Sequence, residues 1–122
     1  MLFRSVKKDG FNEEDLYFDP LIRPISTEPV QGREVLKAIP MIKGLGRVKT
    51  ICGLSNVSFG LPDRRLINAT FLSMAMQAGL DAAILDLLDT HIASALRASE
   101  ALLGRDEYCA GYIRAFREGK LI

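Results

Sequence analysis

Apolar positions along the chain alternate between short continuous runs and longer periodic stretches. The continuous runs are Leu16-Tyr17-Phe18, residues 48–54 and Ala82-Ala83-Ile84-Leu85; polar residues close each one, in Asp19-Pro20, Ser55-Asn56 and Asp86. A short run that is apolar at successive positions predicts a strand covered on both faces, because neighbouring side chains point to opposite sides. Between the runs the spacing changes to that of a helix face. Val35, Leu36, Ile39 and Ile42 predict a helix that Pro29 helps to start and that reaches about Lys43, with Ser26 or Thr27 as its cap. Pro40 should kink it or shorten its last turn, and Gly44 and Gly46 end it. Leu66, Ile67, Phe71, Met74 and Ala78 predict a second helix over about residues 64–78, capped by Asp63 and stopped by Gly79. A third is expected from a Thr90 cap to about Leu103, before Gly104. A last one covers roughly residues 106–118, with Cys109, Ile113 and Phe116 turned inward. Residues 1–12 read as the end of a helix stopping at Asp9-Gly10, and residues 21–27 and 57–63 as loops.

The predicted order is strand, helix, strand, helix, strand, helix, helix. Short strands that are each followed by a helix imply parallel pairing through right-handed crossovers, hence an α/β fold. In such a fold every strand ends on the same edge of the sheet. Asp19, Ser55-Asn56 and Asp86 therefore share the edge where α/β proteins bind ligands.

Composition narrows the picture modestly. The 122 residues fit one small domain, and 48% apolar with 25% charged residues is ordinary for a soluble globular protein. A net charge of +1 offers no attraction to nucleic acid or to an anionic membrane surface. No apolar run approaches the ~20 residues of a membrane-spanning helix, and residues 1–8 lack the apolar core of a secretory signal. Two cysteines, Cys52 and Cys109, do not make a disulfide framework, and a reduced cytoplasmic setting follows as the default. No His or Cys cluster has metal-ligand spacing, so no metal site is expected; the single histidine, His91, reads as a surface or capping residue.

Each strand-end residue has a structural reading beside its functional one. Asp19-Pro20 is also ordinary turn chemistry, and Ser55-Asn56 could be a side-chain-to-backbone turn. Asp86 divides between lining a site and binding backbone N–H groups of the next loop. Ser58 reads as a loop hydroxyl, and Arg64 and Arg65 as a solvated charged face near the same edge, with a ligand's acidic tail or an acidic partner surface as the sharper reading. Met74 and Met76 read as core, and Cys52 as a small apolar strand residue.

Four blocks carry a resemblance. Residues 16–21 (LYFDPL), 53–59 (GLSNVSF), 63–71 (DRRLINATF) and 74–86 (MAMQAGLDAAILD) are similar, in order and spacing, to the methyltetrahydrofolate methyltransferases. These belong to the pterin-binding (β/α)8 barrels, with the folate domain of cobalamin-dependent methionine synthase and dihydropteroate synthase. The similarity runs from about residue 10 to residue 118. It implies a partial (β/α)8 TIM barrel: the last three βα units and a C-terminal helix, so that residues 1–122 are the C-terminal portion of a pterin-binding domain. By the same resemblance Asp19 occupies the position of a carboxylate that holds the pyrimidine edge of the pterin. Asn56 matches an asparagine beside N5, the nitrogen carrying the methyl group. Asn56 is thus the expected catalytic group, with Asp19, Asn56, Ser55 and Asp86 as the substrate-binding set. The implied substrate is tetrahydrofolate or its methyl form, and the implied partner is a protein carrying a corrinoid (cobalamin), which accepts the methyl group on Co(I) or, in members that run the reaction toward methyltetrahydrofolate, donates it.

Three departures qualify this. Phe59 stands where relatives acting on the corrinoid iron–sulfur protein have Gln, and Leu87 follows Asp86 where many have Pro. The first five strands are absent, and three units cannot close a barrel. The chain is therefore expected to be a fragment or half-barrel, completed by a complementing N-terminal half or by self-association into a homo-oligomer. Two alternatives remain beside the methyltransferase. One is a non-catalytic module that binds a pterin or a partner chain. The other is a dihydropteroate-synthase-like enzyme, which needs an Arg-x-His pattern where this chain has Ile84-Leu85-Asp86-Leu87.

Overall fold

The computed structural model describes residues 8–121. Among the described residues the strands and principal helices follow one another as β1 (Tyr17–Phe18), α1 (Gln31–Lys43), β2 (Lys49–Gly53), α2 (Arg64–Ala78), β3 (Ala82–Ile84), α3 (Thr90–Leu102) and α4 (Ala110–Arg117). Short 3-10 turns fill Glu13–Asp15, Leu54–Ser58 and Glu107–Cys109. The helical end expected at the N-terminus falls largely on residues 1–7, outside the described residues. Gly10 does adopt the left-handed conformation asked of a helix stop, with φ +91°.

The three strands form one sheet in the order β1-β2-β3, every pair parallel, with Tyr17 beside Lys49 and Ile51 beside Ala82. The α/β class and the parallel pairing expected from the run pattern are both present. Helices cover one face of this sheet. There Thr50 and Cys52 are fully buried, packed under Val35 and Ile39 of α1, Phe71, Leu72, Ala75 and Met76 of α2, and Ile92 of α3. The register places Tyr17, Ile51, Ala82 and Ile84 on the opposite face. Tyr17 is 52% and Ile84 71% exposed, so the expectation of strands covered on both faces is met on the helical side only. The opposite face has no layer over it among the described residues, which is why Ile84 stays wet.

The end of the sheet away from Asp19 and Asn56 is closed by an acid. Asp81 accepts hydrogen bonds from Lys43 Nζ (2.7 Å) and from the Thr50 amide (2.8 Å), while Thr50 Oγ1 donates to the Gly79 carbonyl (3.2 Å). The last turn of α1, the centre of β2 and the turn into β3 are thereby joined. Burial pushes the Asp81 carboxyl up, but the bonds from Lys43 and Thr50 outweigh it and hold the group below its ordinary value.

Several sequence expectations fail at helix ends. Neither Ser26 nor Thr27 caps α1, which starts at Gln31 behind Val30. Residues 24–31 are taken up by successive turns, and Thr27 Oγ1 donates to the Pro24 carbonyl instead. Asp63 precedes α2 as expected, yet its left-handed backbone (φ 48°) turns its side chain away from the helix amides, and it caps nothing. Asp89, not Thr90, caps α3 by accepting the His91 amide (2.9 Å). The expected helix over 106–118 is broken. Asp106 takes the amide hydrogens of Gly111 and Tyr112 on its two carboxylate oxygens, and Tyr108 and Cys109 turn left-handed, so α4 begins at Ala110. Those two bonds hold the Asp106 carboxyl below its ordinary value. The buried residue of α4 is Ala115; Cys109, Ile113 and Phe116 face solvent, contrary to expectation. In α2, Met76 is core but Met74 and Leu66 are half-exposed, since the buried stripe runs through Asn68, Phe71, Leu72 and Ala75.

Candidate functional site

β2 does not end in an open loop. Its last residue passes into a 3-10 turn over Leu54–Ser58, anchored by the buried side chains of Leu54, Val57 and Ser58. Ser55 and Asn56, on the exposed side of that turn, are lifted to the rim of the sheet. Alternation of apolar anchors with polar rim residues is what lets so short a segment be both fixed and open.

The turn is bound to the loop that follows β1. Asn56 Nδ2 donates to the Ile22 carbonyl (2.6 Å), the Ile25 amide to the Val57 carbonyl (3.1 Å) and Ser26 Oγ to the Phe59 carbonyl (2.8 Å). Because a carbonyl oxygen can accept but not donate, the first bond also fixes which way the Asn56 amide points. Its second N–H and Oδ1 have no protein partner among the described residues.

Asp19 is exposed at the end of β1. Its Oδ1 accepts the Leu21 amide (2.8 Å), and Leu21 takes a left-handed φ of 59° to close this turn. The turn reading of Asp19 is thus present, and Oδ2 is the oxygen left to face outward. Asp19 also reaches electrostatically into the sheet. Burial, and then the Asp19 charge, push the Cys52 thiol up to about 11. Cys52 is therefore the small, uncharged strand residue its position suggested.

Asp86, at the end of β3, accepts the Leu88 amide on Oδ1 (2.9 Å), one of the two readings open for it. It also lines a cavity of about 220 Å3 between the ends of β2 and β3, together with Ser55, Arg64, Asn68 and Asp89. Asn68 Oδ1 in the wall of that cavity is buried without a hydrogen-bond partner among the described residues. A roomier groove of about 430 Å3 between α3 and α4, lined by Arg97, Glu100, Arg105 and Asp106 among others, lies away from Asp19 and Asn56. Among the described residues no group of three or more His, Cys, Asp or Glu side chains converges as a metal site would require.

Two residues matter more than their sequence suggested. Arg64 is exposed, as expected of a solvated charge, but its guanidinium is also bound to the turn after β2. Its Nε donates to Ser58 Oγ (2.9 Å), and its Nη2 donates to the Ser55 carbonyl (2.7 Å) and to Ser55 Oγ (3.1 Å). The guanidinium also lies 5.9 Å from the Phe59 ring centroid, within cation–π range. Ser58, read as a loop hydroxyl, is fully buried and donates to the Ser55 carbonyl (3.1 Å). The spacing alone carried no sign of this, because the five residues between Ser58 and Arg64 must first reverse direction through Gly60 (φ +81°) and Asp63.

Fold and site together define an α/β protein with polar groups gathered on the carboxyl edge of a parallel sheet. Residues 3–86 match the family model described as pterin binding enzyme, and the chain belongs to that family. Over 125 aligned residues, covering 99% of this chain and 45% of the relative, it is 34% identical to a methylcorrinoid:tetrahydrofolate methyltransferase of Eubacterium limosum. Over 82 residues, covering 62% of this chain and 7% of the relative, it is 37% identical to a methionine synthase of Mycobacterium tuberculosis. These matches bear out the resemblance read from the four sequence blocks. The chain spans less than half the length of either relative.

Proposed function

We propose that this chain forms the C-terminal part of an enzyme that moves a methyl group between N5 of methyltetrahydrofolate and the cobalt of a corrinoid held by a separate protein. The observation that supports this reading best is the bonded pair of loops after β1 and β2, which presents Asp19 and Asn56 on adjacent strand ends of one rim. An ionised carboxylate accepts paired hydrogen bonds from an N–H and a neighbouring amino group, which suits Asp19 to the pyrimidine edge of a pterin. Ser55 and Asp86 complete the proposed contact set.

The chemistry gives Asn56 its role. When the methyl–N5 bond breaks, both bonding electrons stay on nitrogen, while the methyl carbon forms its new bond with an electron pair from Co(I). An amine of this kind leaves poorly unless a proton or hydrogen bond receives the developing charge. A fixed amide beside N5 stabilises that state more than the ground state. The bond to the Ile22 carbonyl preorganises the amide without using its second N–H.

The open sheet face and unpaired strand edges favour a half-barrel completed by another polypeptide segment, either a complementing N-terminal half or a second copy. The methyltransferase name carried by the Eubacterium limosum relative favours this reading over a non-catalytic pterin-binding module. Among the described residues no helix is long and apolar enough to cross a membrane, and a cytoplasmic location is proposed from the absence of disulfide use. The test is methyl transfer from methyltetrahydrofolate to a Co(I) corrinoid protein by the completed enzyme. Asn56→Ala should lower kcat by about 100-fold, the cost of losing one preorganised donor. Unchanged turnover would remove Asn56 from the mechanism.

A further inference from the structure

We infer that Arg64 is a positioning residue that clamps the Leu54–Ser58 turn and thereby sets the placement of the Asn56 amide. The inference rests on the role proposed for Asn56, but its geometry stands on its own.

Between Leu54 and Ser58 the chain makes a tight 3-10 turn, whose hydrogen-bond geometry is poorer than that of an α-helix. Its two ends are held by different means. On one side Asn56 and Val57 bond to the loop after β1. On the other side the Ser55 carbonyl is satisfied by two donors from outside the strand, Ser58 Oγ and Arg64 Nη2. The residue preceding Asn56 is thus held by the guanidinium, and the residue two beyond it by the same guanidinium through Ser58 Oγ.

Arginine is suited to this and lysine is not. The guanidinium is planar and rigid, so one side chain can bond Ser58 and Ser55 at once while its face lies against Phe59. An ammonium carries its three donors on one nitrogen and cannot reproduce the spread between Nε and Nη2 that reaches Ser58 Oγ and Ser55 together. Arg64 itself stands in the first turn of α2, whose buried stripe fixes the position of its backbone. The clamp therefore transmits the position of a packed helix to an exposed amide. Phe59 forms one wall of it.

The consequence is a separation of roles. Asn56 meets the ligand directly; Arg64 acts on Asn56 through the turn. Loss of the fork should leave the fold intact but let the amide wander, and a displacement of about 1 Å at a reacting group can cost up to about 100-fold in rate.

Side-chain amide exchange measured by NMR on the 122-residue protein decides the matter without any assay of activity. In the wild type the Asn56 Nδ2 protons should form a well-resolved, slowly exchanging pair, because one of them is bonded to the Ile22 carbonyl. Arg64→Lys should raise their exchange rate at least about tenfold, with Ser58→Ala shifting it in the same direction and the exposed neighbour Arg65→Lys leaving it alone. Should Arg64→Lys fold poorly, Ser58→Ala removes one arm of the clamp and carries the test. An Asn56 amide indifferent to both Arg64→Lys and Ser58→Ala overturns the inference. In the completed enzyme, added guanidinium ion should partly restore methyl transfer to Arg64→Ala. A residue needed only for stability would instead lose activity with that denaturant, and such a result also overturns the clamp. If Asn56→Ala itself leaves methyl transfer intact, the functional reading fails while the amide measurement still decides whether Arg64 holds the turn.

Discussion

Cys52 and Cys109 show how far a residue's chemistry is set by its surroundings. Both are free thiols, one fully buried in β2 and one exposed before α4. Since the thiolate is the reactive form, a thiol pushed up to about 11 stays protonated near neutral pH, and burial also bars access. Titration of the folded protein with an aromatic disulfide at pH 8 should therefore label Cys109 quickly and Cys52 only on unfolding. Rapid labelling of both would contradict the packing of β2. At Asp19 and Asn56, residue type and position in a strand-end block were readable from the sequence; their hydrogen bonds were not. The Asn56 partner, the Ile22 carbonyl, is 34 residues away, and nothing local marks it. Arg64 went unrecognised for the same reason. Charged residues in a first helical turn are usually solvated, and only the folded path through Gly60 brings its guanidinium onto Ser55 and Ser58.

Among elements, strands were easier to read than helix ends. Burial of Thr50 and Cys52 under the helices is a demand of the sheet that any sequence must show as apolar or small residues, so the runs revealed β1, β2 and β3. Helix starts depend on competition between nearby groups of similar strength. Asp89 outcompeted Thr90 for the α3 cap, Asp63 lost its cap to a left-handed backbone, and Asp106 drew the amides of Gly111 and Tyr112 and broke the last helix. The tie at Asp81 gives this scale its prediction. A carboxyl held below its ordinary value contributes stability that is present above the unfolded pKa and is lost as pH falls through the folded one. Acid unfolding followed by circular dichroism should therefore show stability declining below about pH 4, and Asp81→Asn should weaken that dependence. Solvent reaches this pair, so the ion-pair part of the difference is held to about 1 kcal/mol or less. Identical acid profiles for the variant and the wild type would mean that the Lys43–Asp81–Thr50 tie contributes nothing.

At the scale of the whole molecule the open sheet face dominates. Tyr17, Ile51, Ala82 and Ile84 share it, and Ile84 and Tyr17 are largely exposed. Covering one such side chain is worth roughly 1.5–3 kcal/mol, so water is a poor partner for this face. Sedimentation velocity is expected to show association of the isolated chain. Ile84→Lys should weaken it about tenfold or more, since 1.4 kcal/mol is a factor of ten. A monomer at all concentrations, unaffected by that change, would argue against a face that needs cover. Addition of a separately expressed N-terminal half should compete with self-association if both use the same face.

By itself, the sequence determined the class of fold, the order and direction of the strands, the edge carrying Asp19, Ser55, Asn56 and Asp86, and the family. Each of these follows from local pattern, because strand burial, helix periodicity and short motifs are written in neighbouring residues. Tertiary structure alone decided where helices begin, which face of the sheet is covered, and what holds the Asn56 amide in place. Those outcomes turn on contacts between distant segments, where small differences in hydrogen bonding and packing choose among partners that look equivalent along the chain.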